Sequence, residues 1–152
     1  MDRFKFRVWD MKRNSYDSYY NYKIGTNGRL DHYPCWTEKD GRIVDGNIED
    51  NFIVEQCTGL KDKNGKLIYE GDIVDIGGHG YRIEYIEGFI TFCPFTDQEW
   101  NWYKRGSNHF KYCMDGDDYR AGKNHFLFQY ESYELDIIGN IHENPELLEQ
   151  SQ

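Results

Sequence analysis

The stretch TGLKDKNGKLIYEGDIV, residues 58–74, decides the fold of this chain. Its centre, Asp62-Lys63-Asn64-Gly65, is a strong turn signal, because an Asn-Gly pair accepts the positive φ that tight hairpins require. The apolar triplet Leu67–Tyr69 predicts a short strand after this turn, and Glu70-Gly71 predicts a corner. The stretch therefore indicates short strands joined by glycine-containing turns.

The same pattern continues on both sides of this stretch. Phe52–Cys57 is a strand candidate upstream. Downstream, Asp72–Ile76 and Tyr81–Ile86 flank the turn Gly77–Gly80 and predict a second hairpin, and Phe89–Cys93 adds a further strand. Short strands at this spacing, with glycine at the corners, are typical of a small barrel or sandwich.

The N-terminal part also favours β structure. Apolar and polar residues alternate over Phe4–Trp9, which is the period-two pattern of a strand with one buried face. Asp10–Asn14 predicts a turn, and the tyrosine-rich run Tyr16–Tyr22 predicts the returning strand. Residues 25–50 hold several glycine-containing turn pairs, which leave little room for a helix.

The C-terminal part is less regular. Residues 94–124 predict an excursion from the barrel, after which His125–Tyr130 and Leu135–Ile141 predict closing strands. Asn144 suits a helix cap and Pro145 suits the first helical position, so a short helix is expected there.

The length of 152 residues fits one domain. We therefore predict a single, mainly β domain over residues 1–152. It would consist of an N-terminal β segment at 1–50, a barrel at 51–143 with an insertion at about 94–124, and a helical tail at 144–152.

Composition and charge exclude several classes of function. There are 27 acidic and 18 basic residues, giving a net charge of −9, and Phe, Trp and Tyr supply 17% of the chain with a single Ala. A core must therefore be built from aromatic residues and Ile. The acidic balance disfavours binding of bulk double-stranded DNA, because neutralising phosphates needs a clustered basic face. The sequence also lacks the apolar run of a membrane span or a signal peptide.

Sequence motifs for catalysis and metal binding are missing. The four cysteines have no C-x-x-C spacing, so we expect free thiols, buried or incidental, in a reducing compartment. The five histidines are scattered, and the acidic run Asp115–Asp118 and the turn Asp62–Gly65 both fail the calcium-loop pattern. Glu70 and Asp72 have acid/base chemistry but no established geometry. We predict no enzyme activity, no cofactor and no metal site.

One segment has the composition of a binding surface: Trp100, Trp102, Tyr103, Lys104 and Arg105. Aromatic side chains beside cations stack on bases in nucleotide and single-strand binders. The same residue types are enriched at protein-binding hot spots. A third interpretation is a strand with Trp100 and Trp102 on one buried face, and it is favoured because a core poor in Leu needs its tryptophans.

Three blocks of the chain resemble the YopX-like family of phage and prophage proteins. They are the opening FKFRVWD at 4–10, the central block at 58–74 and the ending IIGNIHENPELL at 137–148. The resemblance implies a phage or prophage origin and an SH3-like barrel in the C-terminal part, but no defined activity and no catalytic residues. The residues of these blocks that we expect to specify the fold are Gly59, Asn64, Gly65, Tyr69, Gly71, Asp72, Gly139, Asn140, Asn144 and Pro145.

These observations lead to a principal hypothesis and two alternatives. The principal one is a non-catalytic accessory protein that binds a host component in the cytoplasm of the bacterial host, in host takeover or counter-defence. One alternative is sequestration of a nucleotide or short nucleic acid by residues 100–105. The other is a homo-oligomeric structural protein, because an exposed aromatic patch suits a subunit interface.

Overall fold

The computed structural model describes residues 5–16, 22–24, 30–32, 52–86, 91–106 and 126–149. It divides the chain into two compact units. One is Phe6–Glu55, called here the N-terminal unit, and the other combines Met1–Lys5 with Gln56–Gln152 and is called the C-terminal unit. The described parts are mainly β, as the composition predicted. Their paired strands are antiparallel.

The first predicted strand and its turn are confirmed. Of the predicted returning strand Tyr16–Tyr22, Tyr16 pairs with the first strand and Tyr22 begins another, while residues 17–21 lie outside the described part of the N-terminal unit. The strands of this unit are β1 (Phe6–Asp10), β2 (Ser15–Tyr16), β3 (Tyr22–Ile24) and β4 (Leu30–His32). Trp9 stands opposite Tyr16 in the pair β1–β2, and their rings meet edge to face at 5.0 Å. The Asp10 carboxylate accepts two backbone N–H groups of the turn at 2.8 and 3.0 Å, and Asn14 takes the positive φ of 52° that ends it. The pair β3–β4 is antiparallel as well.

Most of the regular structure among the described residues belongs to the C-terminal unit. Its strands are β5 (Phe52–Lys61), which begins in the N-terminal unit, β6 (Leu67–Tyr69), β7 (Asp72–Ile76), β8 (His79–Ile86), β9 (Thr91–Phe95) and β10 (Asp136–Asn140). The helices are α1 (Asp97–Lys104) and α2 (Glu146–Glu149), and 3₁₀ turns lie at Leu127–Gln129 and Ser132–Glu134. One sheet has the order β10-β7-β8-β9, and β6 pairs with the end of β5.

The turn between β7 and β8 shows why this sequence makes tight hairpins. Gly77 and Gly78 both have positive φ, 64° and 88°, which a two-residue hairpin turn requires at its central positions. Ile76 and His79 pair directly across it. The predicted hairpin is therefore confirmed, with the second strand beginning at His79 instead of Tyr81.

Two apolar clusters fill the interior of the C-terminal unit. The larger cluster is formed by residues from strands and a 3₁₀ turn: Ile68, Val74, Tyr81, Ile83, Leu127 and Leu135. The smaller one contains Ile86, Cys93 and Phe95, with aromatic side chains packed against it. Ile and aromatic residues supply five of these nine residues, in line with the composition, but Leu127 and Leu135 are fully buried among them.

The cysteines within the described residues agree with the expectation of buried thiols. Cys57 and Cys93 are free and buried. Burial raises the pKa of the Cys93 thiol to about 12. Cys35 and Cys113 lie outside the described residues.

Two boundary predictions are wrong. Pro94 belongs to β9, where it pairs with Ile83, so the strand continues to Phe95 and the excursion cannot begin at residue 94. The predicted strand His125–Tyr130 is a 3₁₀ turn over Leu127–Gln129 in its described part, because the N–H groups of Gln129 and Tyr130 bond to carbonyls three residues back. Leu127 is buried by this turn while Phe128 points to solvent.

The closing elements are confirmed. The strand predicted at Leu135–Ile141 is β10, and the helix predicted after Asn144 is α2. Several predictions lie outside the described residues, namely most turns between 25 and 50, the remainder of the proposed excursion at 107–124, the acidic run Asp115–Asp118, and the histidines His109 and His125.

Candidate functional site

The central signature turn is built around a buried carboxylate. Asp62 accepts hydrogen bonds from the backbone N–H groups of Asn64 and Lys66 at 2.9 and 2.8 Å, and Gly65 supplies a positive φ of 79°. Burial raises the pKa of Asp62, but the hydrogen bonds from Lys66, Asn64 and Ile137 outweigh it and hold the pKa below its usual value. The ionised carboxylate is therefore the form that organises the turn.

This turn is attached to the segment that leads into β10. The Lys63 N–H donates to the Leu135 carbonyl at 2.9 Å, and the Ile137 N–H points to the Asp62 carboxylate at 3.4 Å. Two side chains add to this contact, because Asn64 donates to Asp136 at 3.2 Å and the Lys63 ammonium lies 2.7 Å from the same carboxylate. The signature turn thus occupies the outer edge of β10.

The corner at Gly71 links three strands. Its N–H donates to the Ile83 carbonyl at 2.8 Å, its carbonyl accepts the N–H of Ile141 at 2.9 Å, and its φ is 78°. Asp72 accepts the N–H of Tyr69 at 2.8 Å. Glu70 and Asp72 therefore flank a structural corner. Their sequence suggests acid/base chemistry without establishing a geometry for it.

The closing signature is tightly packed. A Cβ placed on Gly139 would lie 2.6 Å from the Asn144 side-chain oxygen and 2.9 Å from the Leu147 side chain. Asn140 accepts two backbone N–H groups of the next turn at 3.0 Å, and the carbonyls of Asn144 and Pro145 accept the first hydrogen bonds of the α2 region. Gly59 has a positive φ of 81° within β5. These contacts give the signature residues a role within the fold.

The predicted strand at residues 100–105 is wrong, because these residues lie in and directly after helix α1. Thr96 caps the helix: its hydroxyl accepts the Glu99 N–H at 3.3 Å, and the Glu99 carboxylate accepts the Thr96 N–H at 2.8 Å. This is a capping box, for which Thr-x-x-Glu is the sequence signal. The bulky aromatic residues favour a strand, but the capping box and the helical backbone hydrogen bonds stabilise a helix here.

The helix separates the five candidate residues into two groups. Residues three and four positions apart share a helix face, so Trp100, Tyr103 and Lys104 lie together while Trp102 and Arg105 follow another face. Trp102 is half-buried, and Lys104 and Arg105 are exposed. The structure therefore does not bring all five residues into one surface.

Trp100 is enclosed by side chains of its own unit. Tyr103 stacks on it at 5.4 Å, and Phe95 lies at the same centroid distance. The Arg82 guanidinium and the Lys104 ammonium lie 5.1 and 5.7 Å from the ring centroid. Arg82 is in turn held by Glu84 at 2.6 Å. Trp100 is partly buried, so much of its ring surface is used in contacts within the unit.

Removing the N-cap of α1 tests whether the capping box stabilises the helix against the strand propensity of its aromatic residues. Thr96→Ala is expected to lower the free energy of unfolding by about 1 kcal/mol, because the first-turn N–H groups lose an acceptor. Urea denaturation followed by tryptophan fluorescence measures the loss. Thr96→Ser retains the hydroxyl and should remain close to the parent protein, and equal losses in both variants would contradict the capping role.

An open groove of about 580 Å³ lies on another side of the C-terminal unit. Its lining comes from the signature turn, the β7–β8 hairpin, the second 3₁₀ turn and β10: Lys63, Asp75, Ile76, Gly77, Tyr133, Glu134 and Asp136. Tyr133 is 75% exposed, and nearby in sequence Phe128 is 64% exposed. Aromatic side chains are enriched at protein–protein interfaces relative to the rest of the surface.

The backbone around Tyr133 is held by hydrogen bonds within the 3₁₀ turn. The Glu134 N–H donates to the Glu131 carbonyl at 2.9 Å, and the Glu134 carboxylate accepts the Glu131 N–H at 2.8 Å, which closes the 3₁₀ turn on both sides of Tyr133. Sequence reasoning missed this site. The available signal was one tyrosine between acids in the sequence Glu131-Ser132-Tyr133-Glu134.

Two negative findings apply to the described residues alone. In that part of the chain no group of three or more His, Cys, Asp or Glu side chains is arranged to hold a metal ion. No helix there is long and apolar enough to cross a membrane.

Comparison with known proteins places the chain in a family. It is similar to the crystal structure of protein EF1440 from Enterococcus faecalis, with 24% identity, 95% of this chain and 96% of that chain covered, and a TM-score of 0.45. A search of curated proteins gives no match. The model of the family described as YopX protein matches residues 5–149, nearly the whole length. The chain therefore belongs to the YopX protein family.

Proposed function

We propose that this chain is a non-catalytic accessory protein that binds a partner protein through the groove beside Tyr133. The observation that carries the proposal is an aromatic side chain, 75% exposed, that lines an open groove. Tyrosine at such a position gives much contact area for little loss of conformational entropy. Phe128, stacked on Phe126 at 5.5 Å, adds a second exposed ring on the same segment.

The biological setting belongs to the same proposal. We propose that the protein comes from a phage or prophage, acts in the cytoplasm of the bacterial host, and binds a host component in host takeover or counter-defence. Membership of the YopX family and the three sequence blocks quoted above support this setting. We also propose that the C-terminal unit is a small SH3-like barrel, for which the consecutive antiparallel strands β7, β8 and β9 argue.

The two alternatives have less support from the geometry. Nucleotide binding by residues 100–105 is disfavoured, because the Trp100 ring already contacts Tyr103, Arg82 and Lys104. Self-association would place a second copy of the chain on the groove. Both alternatives become outcomes of the experiment below.

The test is site-specific photo-crosslinking in the host cell. A benzoylphenylalanine at position 133 is expected to give an adduct of discrete mass with one host protein, whereas the same group at position 138 gives none. Ile138 is a matched control because it is 38% exposed and does not line the groove. The purified partner should then bind Tyr133→Ala at least tenfold more weakly than the parent chain. Ile138→Ala should bind as the parent does.

Three outcomes would contradict the proposal. One is an adduct that contains a second copy of this chain, which indicates an oligomer. Another is equal affinity of the partner for Tyr133→Ala and the parent. The third is tight binding of a nucleoside triphosphate that the double variant Trp102→Ala/Arg105→Ala abolishes without unfolding. Because Tyr133 is exposed, its replacement should leave the melting temperature unchanged and the binding result interpretable.

A further inference from the structure

The groove beside Tyr133 has an unequal distribution of charge. Three carboxylates line the groove, those of Asp75, Glu134 and Asp136. Among the described lining residues, the positive charge is that of Lys63. The groove therefore has a formal charge of −2, in a chain whose net charge is −9. A groove with an excess of negative charge attracts positively charged ligands.

The carboxylates are oriented by the backbone. Asp75 accepts the Gly78 N–H at 3.0 Å, and Glu134 accepts the Glu131 N–H at 2.8 Å. Each carboxylate oxygen has more than one acceptor position, so both groups keep capacity for a further donor. Ile76 and the Tyr133 ring provide apolar surface next to them. This combination suits a long side chain with an apolar stem and a cationic end.

Lys63 already presents such a side chain to the groove. Its ammonium lies 2.7 Å from Asp136, and both side chains remain partly exposed. The hydrogen bond to Asp136 and the charges of Asp136, Asp75 and Asp62 raise the pKa of Lys63, so it stays protonated. Lys63 neutralises one of the three carboxylates.

We propose that the groove binds a Lys or Arg side chain from a basic, extended segment of the partner protein. The cationic end would lie against Asp75 and Glu134, and its aliphatic stem would pack on Tyr133. This inference rests on the proposed function and specifies the chemistry of its partner. The Lys63 ammonium, which is paired with Asp136, repels an incoming cation and so limits the affinity for such a segment.

The probe is a fluorescein-labelled twelve-residue peptide of alternating Lys and Gly, titrated with the full-length chain at low salt. Glu134→Gln keeps a side-chain oxygen for the Glu131 N–H but removes a charge, and it should weaken binding about threefold, as expected for an exposed ion pair. Asp75→Asn combined with Glu134→Gln should weaken it about tenfold. Lys63→Gln should strengthen binding about threefold, since it removes a like charge from the groove.

The control is Glu146→Gln, which changes the net charge equally at an exposed position outside the groove lining. Weakening by Glu146→Gln that equals the effect of Glu134→Gln would overturn the inference, because attraction would then be non-specific. Displacement of the peptide by equimolar spermine would also overturn it, by identifying a small polyamine as the occupant. If Tyr133→Ala loses the host partner while the carboxylate variants bind it normally, the inference is refuted and the proposed function stands.

Discussion

Ile83→Ala is expected to lower the free energy of unfolding by about 2–5 kcal/mol, the largest effect of any single change considered for this chain. Ile83 is fully buried in the larger apolar cluster and lies on β8, between β7 and β9. Removing its outer carbons loses transfer free energy and leaves a cavity that the sheet cannot close. Its carbonyl also accepts the Gly71 N–H, so movement of β8 would reach the signature corner.

Urea denaturation measured by circular dichroism tests this expectation. Ile138→Ala is the matched control, because it removes the same atoms from an exposed position on β10, and it should cost less than about 1 kcal/mol. Ile83→Val should fall between them, at about 0.5–1.5 kcal/mol. Equal losses of unfolding free energy in Ile83→Ala and Ile138→Ala would show that the core does not depend on Ile83.

Asp62→Ala is the second large expected effect, a loss of about 1–3 kcal/mol. The carboxylate accepts backbone N–H groups of Asn64 and Lys66, and the change removes their acceptor. It also releases the contact to Ile137, which attaches the turn to β10. Lys61→Ala is the matched control, since Lys61 is an exposed neighbour at the end of β5.

The pH dependence of Asp62→Asn distinguishes the charge from the shape of the side chain. The pKa of Asp62 is lower in the folded protein than its ordinary value of 3.8, so its ionised form stabilises the fold. This stabilisation is fully present above the unfolded-state pKa and is lost as the pH falls through the lower folded-state pKa. The stability difference between parent and Asp62→Asn should therefore narrow below about pH 3.8. A constant difference from pH 7 to pH 2.5 would exclude the carboxylate charge as its cause.

Local chemistry explains which parts of the fold could be predicted. Gly65, Gly77 and Gly78 supply the positive φ of their turns, a conformation that is costly for other residues. In the first of these turns the Asp62 carboxylate adds two hydrogen bonds from the backbone. The residues of helix α1 favour a strand by their composition, although Thr96 and Glu99 form the capping-box signal of a helix N-terminus. Aromatic residues have high strand propensity, and a run of a few apolar residues does not separate strand from helix.

The groove could not be predicted, because its residues come from separate parts of the sequence. Lys63 and Asp136 are far apart along the chain and meet only when the signature turn packs on β10. The candidate segment Trp100–Arg105 had the residue types of a binding surface, but tertiary contacts use Trp100 and Tyr103 in packing against Phe95. Residue types suggest chemistry, while exposure and neighbours depend on the whole fold.

The edges of the sheet β10-β7-β8-β9 have a consequence for the behaviour of the protein at high concentration. On β10, the Asp62 carboxylate accepts the Ile137 N–H and the Lys63 N–H donates to the Leu135 carbonyl just before the strand. The register also shifts between Ile137 and Gly139. On β9, Pro94 has no N–H to donate. An incoming strand would meet an incomplete ladder at either edge, so these two strands resist the edge-to-edge pairing that begins amyloid-like aggregation.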